Sequence, residues 1–413
     1  MNIHEPPEAS PPSTGPAQDV VVVGGGPVGL ASAIAARLRG LTVLVVDRQR
    51  PPIDKACGEG LMPSGLAALR ALGVALPARS MPFRGIRYVS DGCVAEAAFP
   101  DGLCGRGVRR TELAAALHER AIAVGVTFEW GVRVLAAGSG EVRSADRVWP
   151  CRFVVGADGL HSHLRRDSGL ERAGRARRSG PGERSPTPGR NARFGVTRHL
   201  RLAPWSDHVE VTFGDRAEVY VTPLAADEIG VAILWSGGKG GFDELLASRI
   251  PASFAQRIAG AEALGRDRGA GPFLQRTRGT VSAGRRLALV GDAAGYVDAL
   301  TGEGLSLGFE SALELGEALA LGDLGVYARR AANLAALPQR WTYLLLALAR
   351  RPALRRRLVA ALSADPVLFS GFLGLLGARR PFAGLPLARS LRLCSRLAWP
   401  LPAAMAARPA TCA

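Results

Sequence analysis

The chain is poor in the residues that build metal centres and covalent staples. Of its 413 residues, six are cysteine and six are histidine. Cys57, Cys93, Cys104, Cys151, Cys394 and Cys412 form no CxxC pair and have no histidine close by, a spacing that excludes a zinc site and a disulfide framework. No apolar run reaches the ~18–20 residues needed to cross a bilayer. The N-terminus is acidic and proline-rich where a signal peptide would need a basic and then an apolar stretch. A reducing cytoplasm is therefore the expected compartment. Neither a Ser-His-Asp set nor a paired-carboxylate arrangement is apparent, so the chemistry is expected to come from elsewhere.

What is present is a globular composition, 47% hydrophobic and 21% charged. The length allows two or three domains, or one large interleaved domain. Lys and Arg total 52 against 36 acids, leaving +16, nearly all of it arginine. Such a balance suits nucleic acid, an anionic membrane surface or an acidic ligand; free use of arginine without any partner explains it equally well.

Residues 1–18, with Pro6, Pro7, Pro11, Pro12 and Pro16, read as a disordered leader, and order is expected from Asp19. Val20 to Val23 read as a buried strand, followed by a helix to about Gly40 and a second strand ending at Asp47. Phe153 to Val155 and Leu287 to Val290 are further apolar strands that run into glycine-acid turns. Between them Val209, Val211, Phe213, Val219, Val221, Ile229, Val231 and Ile233 alternate as in an antiparallel sheet. The Gly/Arg/Ser/Pro-rich stretch 173–191 reads as a loop. From about 336 the chain carries about a dozen arginines and one acid, Asp365, among leucine-rich helices broken at prolines.

Gly24, Gly26 and Gly29 form GxGxxG between a strand and a helix. The first glycine permits the turn, the second lets backbone approach a pyrophosphate, and the third lets helix and strand pack. Pro27 opens the helix, whose free N–H groups and partial positive charge suit phosphates. Asp47, followed by Arg48, stands where a carboxylate can accept ribose hydroxyls. This is a dinucleotide site.

Two later motifs separate FAD from NAD. Gly156-Ala157-Asp158-Gly159, with Ser162 and Arg165 behind it, resembles the second signature of the para-hydroxybenzoate hydroxylase superfamily of flavoproteins. Gly291-Asp292-Ala293-Ala294 resembles the third, in which the aspartate binds the ribityl chain or its neighbouring ribose. Thr301-Gly302-Glu303-Gly304 looks like the family loop at a helix start beside the flavin pyrimidine. The segment Lys55 to Pro63 is similar to the Lys-x-Cys-Gly-x-Gly region of geranylgeranyl reductases, in which the cysteine, here Cys57, lies near the isoalloxazine. Arg110 resembles the family arginine that reaches the cofactor. Ala299 stands where many hydroxylases carry a proline, and Gly295 where they often carry His or Arg.

The resemblance implies an α/β fold. A Rossmann-type FAD-binding domain (19–80, 105–172, 280–335) would be interleaved with a mostly antiparallel substrate-binding sheet (81–104, 191–279), and a helical basic region (336–413) would follow. It implies FAD, with NAD(P)H as a transient reductant, and an oxidoreductase. The leading expectation is a monooxygenase that hydroxylates an aromatic or polyketide-like hydrophobic molecule through a C4a-hydroperoxyflavin; the alternative is a reductase that saturates isoprenoid double bonds. Cys57, Tyr296 and His199 are the candidates beside the flavin. The C-terminal region fits either a helical cap or a peripheral membrane contact. Its few aromatics and lack of a recognised motif disfavour nucleic acid.

Overall fold

The computed structural model describes residues 13–138, 140–172, 192–238, 240–379 and Arg389. The leader up to residue 12, the stretch 173–191 and most of 380–413 lie outside the described residues.

The four valines of β2 (Gln18–Val23) are 0–4% exposed, because β2 is central to an eight-stranded sheet. It pairs in parallel with β3 (Val43–Asp47) and with β12 (Arg147–Gly156). Outside these lie β9 (Thr127–Trp130), β10 (Ala136–Gly138), β11 (Glu141–Arg143) and β19 (Leu287–Leu289). A parallel strand covered on both faces is apolar throughout, as residues 20–23 of β2, 43–46 of β3 and 153–156 of β12 are. Helices α1 (Pro27–Arg37), α3 (Arg110–Ala123) and α7 (Gly304–Leu321) pack on one face. Trp149, Val142 and Leu164 close the other.

Regular structure is present ahead of the expected Asp19. Ser13 and Thr14 form a short strand, β1, parallel to Arg147–Val148, and the Gly15 N–H donates to the Val148 carbonyl at 2.9 Å. The cause lies in β12, which is longer than its apolar core and leaves backbone groups in its first half to be satisfied.

The second sheet carries the alternating residues. Its order is β17 (Glu262–Ala263), β13 (Arg193–Arg201), β16 (Glu228–Ser236), β15 (Ala217–Ala225), β14 (His208–Phe213), β6 (Gly85–Ser90) and β7 (Cys93–Ala98), with β18 (Arg268–Ala270) also on β13. Every pairing is antiparallel except β14 with β6, which joins two distant chain segments in parallel. One face is covered by α5 (Phe242–Arg249) and α6 (Ala252–Arg257) through Phe242, Leu245 and Phe254. A small sheet of β4 (Gly60–Leu61), β8 (Gly105–Val108) and β5 (Ser80–Phe83) packs against β15 of the second sheet, and α2 (Pro63–Ala71) follows β4.

After the long α8 (Leu324–Ala349), Pro352 and Pro366 open α9 (Pro352–Ser363) and α10 (Pro366–Gly377), the helix position where proline's missing N–H costs nothing. Val359, Leu362, Phe369 and Leu373 of these two helices are buried together with Ile86, Ala95 and Val209 of the second sheet. The described part of the C-terminal region is thus a helical cover on that sheet. No single described helix is long and apolar enough to cross a membrane.

Candidate cofactor and active site

The three glycines of the first motif do three different jobs. Gly24 has φ +115°, and a methyl group there would lie 2.3 Å from the Ala157 carbonyl oxygen. A methyl on Gly29 would lie 1.9 Å from the Gly24 oxygen, so this glycine is a packing requirement. At Gly26 the added carbon would meet only the Arg110 guanidinium, at 3.9 Å. That opening in front of the uncapped N-terminus of α1 is the space a pyrophosphate needs. Asp47 staples the loop from the end of β3: Oδ2 accepts the Gly25 N–H at 2.7 Å and Oδ1 accepts the Gln49 N–H at 2.8 Å. Arg48 follows it on the exposed surface. Arg110, buried at the start of α3, donates to the Ile53 carbonyl and so faces the glycine loop from across the cleft. A cavity of about 270 Å³ opens beside the loop, lined by Gly25, Pro51, Pro52, Ile53, Thr111 and His118.

Asp158 follows β12 and turns back on its own chain. Its Oδ2 accepts the backbone N–H groups of His163 and Leu164 at 2.9 and 3.2 Å, at the start of α4 (His163–Asp167). Its Oδ1 is buried without a partner among the described residues, an orphaned acceptor at the edge of the cleft. Arg165 matters more than the sequence motif suggests. Only 1% exposed, it donates to the carbonyls of Leu160 (2.9 Å), Ala293 (3.2 Å) and Asp292 (3.3 Å) and to Gln275 Oε1 (2.9 Å). One side chain thereby ties the second signature to the third. The third is a 3-10 turn, Gly291–Ala294, entered at Gly291 with φ +56°.

Water reaches the Asp292 side chain, yet the protein around it desolvates the carboxylate and raises its pKa, against the pull of Lys55, Arg110 and Arg165. Cys57 and Tyr296 share this region, since each is electrostatically coupled to Asp292, and Tyr296 to Cys57 as well. Burial, and next the charge of Glu59, push the Cys57 thiol up to about 11. It is a thiol at neutral pH. A methyl on Gly304 would lie 3.5 Å from the Tyr296 ring, so α7 starts against that tyrosine. Glu303, the residue before the helix, is 4% exposed. Burial raises its carboxyl to about 7 although Arg379 bonds it at 2.9 Å, and its Oε2 has no partner among the described residues. Gly302 makes the preceding turn with φ +66°.

The inner face of the second sheet looks onto this loop. Tyr220 donates its hydroxyl to the Leu300 carbonyl at 3.0 Å. Arg193 donates to Asp298 and Glu218, each at 2.7 Å, in a buried three-residue cluster. Tyr88 stacks on Phe369 of α10 at 5.2 Å and lies 5.8 Å from Phe213. His199 does not join the Cys57, Tyr296 and Asp292 group directly. Its Nε2 lies 2.7 Å from Glu59 Oε2, whose other oxygen accepts the Arg110 N–H at 2.7 Å. Glu59 and Arg193 were given no role from sequence, and Arg165 was named only as part of the second signature. Glu59 sits inside the cysteine motif with φ +58°, and Arg165 stands within the second signature, so a signal existed for both; Arg193 had none.

An uncapped helix start facing an open glycine, buried acceptors without partners and a surrounding arginine set fit a flavin dinucleotide. Comparison with known proteins agrees. A family model described as an FAD binding domain matches residues 17–181. The chain is 31% identical over 334 residues to a menaquinone reductase of Mycobacterium tuberculosis, covering 74% of this chain and 77% of that protein. It is 28% identical over 344 residues to a 6-methylpretetramide 4-monooxygenase of Streptomyces rimosus, covering 76% of this chain and 57% of that protein. Among solved structures, a flavoprotein/dehydrogenase from Cytophaga hutchinsonii superposes with a TM-score of 0.70 at 18% identity, covering 87% of this chain and 93% of its own. PqsL, a probable FAD-dependent monooxygenase from Pseudomonas aeruginosa, gives 0.62 at 21% identity, covering 86% and 99%. The chain belongs to the para-hydroxybenzoate hydroxylase superfamily of FAD-dependent oxidoreductases.

Proposed function

We propose that the protein is an NAD(P)H-driven FAD monooxygenase that hydroxylates a hydrophobic aromatic or polyketide-like small molecule. The observation that carries this reading is the aromatic inner face of the second sheet, where Tyr88, Phe213 and Tyr220 gather with Phe369 of α10 beside the 296–304 loop. Flat aromatic side chains offer stacking surface to a planar substrate. The tetracycline-type monooxygenases among the relatives support the same substrate class.

Bound FAD supplies the redox chemistry, accepting a hydride from the nicotinamide and activating dioxygen. The chain's own residues bind and orient. Gly24, Gly26, Pro27 and Gly29 would receive the pyrophosphate, with Arg110 as countercharge and the cavity beside Gly25 leaving room at the nucleotide end. Asp47 and Arg48 would hold the adenosine ribose, and Asp158 and Asp292 would face the ribityl and ribose hydroxyls as acceptors. Gly302, Glu303 and Gly304 would present the N–H groups of α7 to the pyrimidine, where a helix start stabilises negative charge. Division of labour would follow the sheets, with the first holding the cofactor, the second shaping the substrate pocket, and α9 and α10 closing it.

A second reading, reduction of isoprenoid double bonds, has its own support in the menaquinone reductase relatives and in a protonated Cys57 beside Tyr296 and Asp292. Oxygen-electrode and absorbance traces on the FAD-loaded protein decide between them. Hydroxylation requires that phenolic or polyketide substrates accelerate NAD(P)H oxidation and oxygen uptake together. Turnover of a prenylated quinone that survives, or improves, under anaerobic conditions would transfer the assignment to the reductase.

A further inference from the structure

Across the second sheet, His199 on β13 pairs with Gly230 on β16, and Gly230 pairs with Thr222 on β15. These three neighbours form one row, and the turn around Cys57 lands on it. His199 Nε2 meets Glu59 Oε2 at 2.7 Å. Thr222 Oγ1 donates to the Gly58 carbonyl at 2.8 Å. Between them a methyl on Gly230 would lie 3.2 Å from Glu59 Oε2, so the missing side chain leaves the carboxylate its place. We propose that the row His199–Gly230–Thr222 is a seat for the Gly58–Glu59 turn, and that His199 is a positioning residue that fixes Glu59 and, through it, Cys57 in the flavin cleft.

The local geometry explains why a seat is needed. Glu59 holds a left-handed backbone, φ +58°, a conformation a non-glycine residue keeps only where its surroundings over-determine it. The Glu59 carbonyl accepts the Val108 N–H at 3.0 Å, and three more contacts act here. Oε2 is held by His199, Oε1 by the Arg110 N–H at 2.7 Å, and the Glu59 N–H donates to Cys57 Sγ at 3.4 Å. Glu59 is 5% exposed and the His199 side chain 11%, so water does not replace the pair. The charged or titratable groups facing this turn are His199 on β13, Arg110 and Glu112 on α3, and Asp292 and Tyr296 after β19. A neutral glutamine at Glu59 removes the negative charge nearest the thiol. Loss of the imidazole leaves that charge in place, held through Oε1 alone.

The seat belongs to the chain itself, so it holds for a monooxygenase or a reductase, and its test is separable from both. The reading is the rate of Cys57 alkylation by iodoacetamide in the FAD-loaded protein, followed by peptide mass spectrometry from pH 7 to 10. His199→Ala and Gly230→Ala should each raise the rate about threefold or more as the turn loosens. His199→Gln carries an N–H donor at about the place of Nε2 and should restore the rate to within about twofold of wild type. Glu59→Gln should move the pH profile down by about half a unit or more. Wild-type alkylation in folded His199→Ala and Gly230→Ala overturns the proposal, as does a His199→Gln protein as fast as His199→Ala. Should His199→Ala fail to fold, Gly230→Ala and His199→Gln decide alone.

Discussion

A methyl group added at Gly29 and one added at Gly26 meet opposite surroundings, although both glycines belong to the same motif. At Gly29 it collides with backbone 1.9 Å away; at Gly26 the nearest atom is 3.9 Å away. Gly29→Ala should therefore cost about 1–3 kcal/mol of stability through overpacking, visible in a urea titration. Gly26→Ala should leave the melting temperature of the FAD-free protein unchanged and weaken FAD binding about tenfold, roughly 1.4 kcal/mol, by flavin-fluorescence titration. Glu303 gives a second residue-scale test. Its carboxyl titrates near 7 in the fold against 4.5 for an unperturbed glutamate, so the folded state binds the proton more tightly than the unfolded chain. The stability contributed is fully present below pH 4.5 and is lost as pH rises through about 7, a loss on the order of 3 kcal/mol. Thermal unfolding of Glu303→Gln measured from pH 5 to 8 should be flatter than that of wild type. At this scale the glycine motif was legible, because its residues act on neighbours a few positions away. The His199–Glu59 bond was not, since its partners are 140 positions apart and nothing local in either residue announces the other.

Among the elements, the connection between strands β12 and β19 depends on Arg165 as much as on their three-pair parallel ladder. Four oxygens from three turns converge on its guanidinium. Arg165→Met would leave those acceptors buried and unpaired and should cost on the order of 3 kcal/mol, with FAD affinity falling because Asp292 loses its anchor. Lysine should not rescue it, since a single ammonium cannot reproduce the planar fork; a shared loss in the denaturation midpoints of both variants would bear this out. The strands themselves were readable, the parallel ones from continuous valine runs and the antiparallel ones from alternation. The burial of α9 and α10 on the second sheet was not, because a leucine-rich helix carries the same pattern whether protein or lipid covers it. Phe369→Ala tests that cover. A cost of about 3–5 kcal/mol, the usual penalty for emptying a packed aromatic site, is expected in chemical unfolding.

For the whole molecule, the net charge of +16 acts over a range set by salt. Sedimentation with vesicles containing phosphatidylserine should show association at low ionic strength that is lost on the order of 0.3 M salt, since Val359, Leu362, Phe369 and Leu373 are buried on the second sheet and Leu368 and Leu375 are buried with α8. Salt-resistant binding would instead mean that leucines enter the bilayer. The order of the three flavin motifs was enough to read the cofactor at this scale. The division of the chain between the sheets came from the family resemblance; the parallel pairing of β14 with β6 was beyond it, because that pairing leaves no local trace. That one parallel pairing also bears on descent. The second sheet is assembled from residues 85–98, 193–236 and 262–270, with strands of the first sheet encoded between the first two, so no single crossover could lend this protein another enzyme's specificity as a module. Its lineage would have to change what it acts on in place, one side chain at a time, at positions such as Tyr88, Phe213, Tyr220 and Phe369.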